Sequence, residues 1–258
     1  MMALITLLLL ISLLPHLTFT ARANVGIVKG REAKPHSRPY MVSIQLNKKH
    51  VCGGFLISDE FVMTAAHCWK GYPEILLVVV GAHDLWNNKH SYHVEVKSYI
   101  SHPHYTFCAH WNDIMLLRLQ EKVKLNNYVK WISLPKEGDV NGGILCSVAG
   151  WGKLSLKGRT TSSVLMEANM TTINHAECLH KWGSKYFTSK MICAHGRGGS
   201  CTGDSGGPLV CGDTAVGVTS FVSNKSCNSP EKPNVYTEIS AFLPWIHQIT
   251  RNISNTSQ

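Results

Sequence analysis

Short runs rich in β-branched and aromatic residues recur through the chain with turn residues between them: PYMVSIQL, FVMTAA, EILLVVV, YHVEVKSYI, VKWISL, SVLMEANM, AVGVTSFV and NVYTEI. In one of them Tyr92, Val94 and Val96 alternate with His93, Glu95 and Lys97, the period of a strand with one buried face. So many short strands, with few helical patterns among them, limit the fold to an all-β class, a sandwich or a barrel. A helical period is clear once, at the end. Phe242, Trp245, Ile246 and Ile249 recur at i, i+3, i+4 and i+7 and predict a C-terminal helix with one face on the body. Pro244 then falls in the first turn, where its missing N–H is tolerated. A weaker helical stretch, HAECLHKW, follows Asn174.

The chain opens MMALITLLLLISLLPHLTFTARA. This apolar run is broken at Pro15, is short for a membrane span and closes on Ala21-Arg22-Ala23, so residues 1–23 read as a cleaved signal peptide rather than an anchor. No later segment is long and apolar enough to cross a bilayer. The nine cysteines suit an oxidising route, and their odd number leaves at least one over. Spacing alone does not dictate the pairing. A hydrophobic content of 44% against 16% charged residues excludes a disordered chain. The net charge of +9 favours anionic surfaces such as sulfated polysaccharide, although a basic secreted protein with no dedicated partner would carry the same charge. No nucleic-acid partner is expected. Sequons at Asn169, Asn224, Asn252 and Asn255 permit glycosylation in a secreted chain.

Chemistry concentrates in SCTGDSGGPLVC, where Ser205 stands among glycines with Asp204 directly before it. A serine hydroxyl is a weak nucleophile at neutral pH. It needs a base, an orienting group for that base, and donors for the oxyanion that develops. His67, in FVMTAAHC, ends an apolar strand. Asp113, in WNDIMLLRL, is a lone acid opening a buried run, where a bare carboxylate is costly.

The order TAAHC, NDIMLL, GDSGGPL resembles the chymotrypsin-like serine proteases, and in particular the granule-stored granzymes and mast-cell proteases. The likeness runs from Ile27 to about Ile249 and implies two six-stranded antiparallel β-barrels with a C-terminal helix. It implies a serine endopeptidase in which Ser205 attacks the scissile carbonyl, His67 carries the proton and Asp113 orients the imidazole. The N–H groups of Gly203 and Ser205 would form the oxyanion hole, and Ser220 would support Asp113 at the edge of the substrate pocket. IVKG, from Ile27, matches the family's mature start except at Lys29. Residues 24–26 then become a short propeptide, and 27–258 the protease domain. Cleavage after Asn24 instead of Ala23 would leave Val25-Gly26. Gly26 gives a trypsin-like activator nothing to cut. The freed Ile27 amine would pair with Asp204, while Ser43 and His50 sit near positions that hold this aspartate in some zymogens.

By the same resemblance, Gly199 lies at the pocket base beside Ser200, without the acid of trypsin-like pockets. Val222 and Asn234 narrow the walls, implying small or medium uncharged P1 residues, or a polar P1 touching Asn234. Implied bridges are Cys52–Cys68, Cys146–Cys211, Cys178–Cys193 and Cys201–Cys227, the last leaning toward the granzyme A and K type. Cys108 has no assigned partner and is either a free thiol or the link of a disulfide homodimer. His102 and His104 could join His90 or His93 as a zinc cluster, but among 14 histidines chance proximity is the simpler reading, and neither metal nor cofactor is expected. Protein or peptide substrates, secretion and storage in granules complete these expectations.

Overall fold

The computed structural model describes residues 27–255 apart from 73, 88, 137, 139, 156, 159 and 185–187. The leader over 1–23 and the propeptide over 24–26 lie outside the described residues. After a two-residue strand β1 (Arg31–Glu32), strands β2 (Met41–Leu46), β3 (Lys49–Leu56), β4 (Phe61–Thr64), β5 (Leu76–Val80), β6 (Tyr92–Ser101) and β7 (Met115–Leu119) follow. The last six close into an antiparallel barrel in the order β2-β3-β4-β7-β6-β5. Strands β8 (Leu145–Gly150), β9 (Met166–Ile173), β10 (Met191–His195), β11 (Pro208–Cys211), β12 (Thr214–Phe221) and β13 (Asn234–Glu238) form the second barrel. It is closed because β8 pairs with both β11 and β9. β1 extends it by pairing Arg31 with Glu167 and Glu32 with Met166.

Local chemistry explains the tight connections. Asn47 and Lys48 both have positive φ, 51° and 62°, as a two-residue hairpin loop of the right twist demands. Barrel closure removes the free edges that so many strands would expose. Val42, Ile44, Phe55, Leu56, Val62 and Val80 fill the first core. Val148, Met166, Met170, Leu209 and Tyr236 fill the second.

Helix α1 (His175–Trp182) starts where Asn174 caps it, its side chain accepting from Glu177 N at 2.8 Å. Helix α2 (Leu243–Asn255) follows a 3-10 turn, Ser240–Phe242. Phe242, Leu243 and Ile246 are buried, with Trp245 and Ile249 partly covered, against the cluster that fills the first barrel. A helix continuous with the second barrel therefore clamps the first.

VKWISL is not a strand. Val129 and Ile132 are buried, but Lys130 N donates to Pro39 O, Ile132 N to Leu56 O, and Ser133 O accepts from Ala215 N. The segment changes partner at each step because it crosses from one barrel to the other, so its apolar residues plug a seam.

Candidate active site

His67 sits on a 3-10 turn, Ala66–Cys68, which follows β4. Asp113 precedes β7, delivered by a loop in which His110 and Asn112 take positive φ, 52° and 54°. The two meet across 46 residues of chain: His67 Nδ1 lies 2.7 Å from Asp113 Oδ2, and His67 N donates to Oδ1 at 3.0 Å. A carboxylate only accepts, so Nδ1 carries the proton and Nε2 keeps the lone pair. Asp113 is fully buried. From the second barrel, Ser220 Oγ donates to Oδ2 at 2.5 Å and Thr237 Oγ1 to the Asp113 carbonyl at 2.9 Å. Burial alone would push this carboxyl up. The His110 ring, with Nδ1 at 3.7 Å, and the bonds from His67 and Ser220 outweigh it and hold the group well below the usual carboxylate range.

Ser205 lies half-buried in the turn before β11, between Asp204 and Gly206. Gly53 N donates to its carbonyl at 2.8 Å, and Cys68 Sγ lies 3.8 Å from the same oxygen, so the second barrel's serine is held against the histidine turn. Gly206 has φ +81°, and a Cβ there would stand 2.1 Å from Thr64 Oγ1, so only glycine lets the barrels approach here. Among the described residues no hydrogen bond joins the Ser205 hydroxyl to His67, and neither Gly203 N nor Ser205 N donates to another backbone or side-chain group.

Asp204 is buried, with Gly152 N donating to Oδ1 and Cys201 N to Oδ2, both at 2.8 Å. Burial pushes its carboxyl up to about 7 against those two bonds. A Cβ on Gly150 would lie 2.2 Å from Oδ1 and one on Gly152 2.5 Å from Cγ. The segment AGWG is therefore a cradle for this carboxylate, a role the sequence analysis missed although two glycines flanking a tryptophan were its signal. Ile27 is fully buried in the second core, and the chain beside it pairs Val28 with Gly199. His50 Nε2 lies 2.9 Å from Gly203 O, and Nδ1 2.8 Å from Ser43 Oγ. The carbonyl must accept, so Nε2 donates and the neutral ring's Nδ1 accepts from Ser43.

Gly199, the expected pocket base, lies against Asn234: a Cβ on it would meet Asn234 Oδ1 at 2.5 Å. Asn234 Nδ2 donates to Cys227 O at 3.1 Å and Ser200 O at 3.3 Å, fixing the amide. Among the described residues, Ser200 Oγ and Tyr236 Oη are buried there without a partner of good hydrogen-bonding geometry. Val222 borders a cavity of about 610 Å³ with Cys108, His110, Trp182 and Phe221, a lining that includes neither Gly199 nor Asn234. The structure holds the bridges Cys52–Cys68, Cys146–Cys211, Cys178–Cys193 and Cys201–Cys227, and Cys108 is an exposed free thiol. His102 packs on Phe242 and Trp245, whereas His90 sits apart with His36 and Tyr128.

A family profile described as Trypsin matches residues 27–246. Human (Homo sapiens) cathepsin G is 38% identical over 260 residues, covering 98% of this chain and 96% of its own. Bovine (Bos taurus) duodenase-1 is 40% identical over 251 residues, covering 94% and 96%. Mouse (Mus musculus) granzyme F is 39% identical over 229 residues, covering 85% and 89%. The solved structure of neuropsin, a serine protease expressed in the limbic system of mouse brain, superposes with a TM-score of 0.81 at 34% identity over 86% of this chain and 99% of that one. With the barrels, the profile and these identities in agreement, the chain belongs to the trypsin family and is a chymotrypsin-like serine protease with granzyme, cathepsin G and mast-cell protease relatives.

Proposed function

We propose that this endopeptidase works through Ser205, His67 and Asp113, and that it cuts after small or medium uncharged residues. One observation carries the first part: a fully buried Asp113, fixed by Ser220, gripping His67 at Nδ1. That bond leaves Nε2 as the free base on the Ser205 side. The base takes the hydroxyl proton as Oγ attacks the scissile carbonyl, and the acyl-enzyme forms as the proton passes to the leaving amine. Water then reverses the sequence. The uncommitted N–H groups of Gly203 and Ser205 stabilise the oxyanion at each tetrahedral stage. A fluorophosphonate probe tests this: it should label Ser205 in the mature chain, and His67→Ala should abolish labelling. Labelling that persists without His67 would overturn the assignment.

Specificity rests on Asn234. Its amide occupies the space above Gly199, where a basic side chain would otherwise seek a counter-charge, so arginine and lysine gain nothing there. Activity requires release of Ile27, whose ammonium would neutralise Asp204. Adding one residue before Ile27 in the mature chain should abolish turnover, and full activity in that extended form would refute the switch. Secretion and granule storage fit this short-propeptide reading, as does the basic surface for sulfated glycans.

A further inference from the structure

Three histidines outside the catalytic region converge on one cavity. His36 lies in the turn after β1, and His83 and His90 in the loop between β5 and β6. The His36 ring is 5.3 Å from His90 and 6.1 Å from His83 between centres. Tyr128 backs the group, stacking on His90 at 4.1 Å and meeting His36 edge-on at 4.6 Å. The three imidazoles and Asp84 line a hollow of about 280 Å³. Gly81, at φ +75°, lets the loop close this tightly, because a Cβ there would stand 2.3 Å from His90 O.

His83 is the telling member. Its Nε2 lies 3.0 Å from Glu32 Oε1, so the carboxylate fixes the proton on Nε2 and leaves a lone pair on Nδ1. That Nδ1 is buried and, among the described residues, has no hydrogen-bond partner. Carboxylate, imidazole and then an open ring nitrogen is the arrangement that orients a histidine toward a metal ion. Tetrahedral zinc with Zn–N bonds of about 2.0–2.1 Å separates imidazole centres by about 5 Å, so His36 stands near that distance from His90 and about 1 Å beyond it from His83, and the rings must draw inward to bring all three ligand atoms onto one ion. We propose that His36, His83 and His90 form a site for a divalent transition-metal ion of the zinc type, with water completing the shell. Its place gives it leverage: His83 O accepts from Trp151 Nε1 at 3.0 Å and from Leu165 N at 2.8 Å, so an ion would brace the segment that cradles Asp204.

Another cluster competes for metal. His67, His110 and Asp113 bring ligand atoms within 4.8 Å, but Asp113 there is committed to His67 and Ser220. The test is therefore run on the whole chain carrying His110→Ala. Titration with Zn2+, followed calorimetrically, should show one ion bound, and Co2+ in its place should give the visible absorption of a tetrahedral nitrogen site. His36→Ala or His83→Ala should abolish that binding, and Glu32→Gln should weaken it by about 10- to 100-fold. Circular dichroism without metal checks each fold, and the turn variant His36→Ala keeps the test valid if His83→Ala fails to fold. Zn2+ uptake unchanged in His36→Ala, or no uptake by the folded His110→Ala chain, which would leave water as the partner of His83 Nδ1, overturns the proposal.

Discussion

Asp204 and His50 flank the Gly203 peptide and titrate in opposite senses. Burial raises the carboxyl to about 7, and burial lowers the imidazole to about 4 against its bond to Gly203 O. For Asp204 the folded chain holds a proton that the unfolded chain has lost, so stability falls as pH rises from about 4 to about 7. For His50 the unfolded chain gains a proton that the folded chain refuses, so stability falls as pH drops from about 6.5 to about 4. Each slope reaches about 1.4 kcal/mol per pH unit, and over the shared window they offset. In the chain not yet cleaved before Ile27, Asp204→Asn should expose the His50 slope: urea unfolding from pH 4 to 7 should show the variant losing stability toward acid relative to the parent. Parallel profiles would mean that Asp204 is ionised throughout. The pocket gives a second prediction. Gly199→Asp alone should not produce cleavage after arginine, because its Cβ would sit 2.5 Å from Asn234 Oδ1. Gly199→Asp with Asn234→Gly removes the obstruction, and kcat/KM for arginine substrates should rise by at least about 100-fold over the single variant. Equal rates would show that Asn234 does not obstruct the base.

At the level of elements, the C-terminal helix carries stability for a barrel it does not belong to. Ile246 is buried against the first core, so Ile246→Ala should cost about 2–5 kcal/mol in denaturant unfolding while leaving kcat/KM near the parent value at low temperature. A large loss of catalysis with little loss of stability would instead tie the helix to the site. That helix was legible because Phe242, Trp245, Ile246 and Ile249 follow its period without interruption, and strands such as β5, β6 and β9 because their apolar residues alternate or cluster. Strands β3 and β11 were not, because KHVCGGFL and PLVC place polar, glycine or proline residues where β-propensity weakens, and closure of the barrel supplies what propensity does not. VKWISL failed in the other direction: its residues suit a strand, but its backbone serves three partners. The candidate site was proposed from three short motifs and their family resemblance. The grip of Thr237 on the Asp113 carbonyl and the glycine cradle around Asp204 were not, since both arise from segments that only closure of the fold brings together.

Across the whole molecule, the proposed active site is a seam. His67 and Asp113 come from the first barrel, Ser205 and Ser220 from the second, and the two are aligned by contacts as close as Gly206 against Thr64. A seam of this kind can be nearly complete and still be controlled by one charge. Ile27 already has its side chain in the second core, and the Asp204 carboxylate already has its two backbone donors. On the proposed activation, peptide cleavage before Ile27 would add an ammonium, with an ordinary pKa of about 7.7–8.0. If that ammonium pairs with Asp204, its folded pKa rises, and the stabilisation it brings is complete below the ordinary value and lost as pH climbs through the raised one. The mature chain should therefore lose kcat/KM and fluorophosphonate reactivity together at alkaline pH, with a midpoint above 8, and regain both on return to neutrality. Mature chain acetylated at Ile27 should be inactive at every pH, because no charge forms. A rate that holds steady beyond pH 11, or an acetylated chain with parental activity, would place the control of the seam somewhere other than the Ile27 amine.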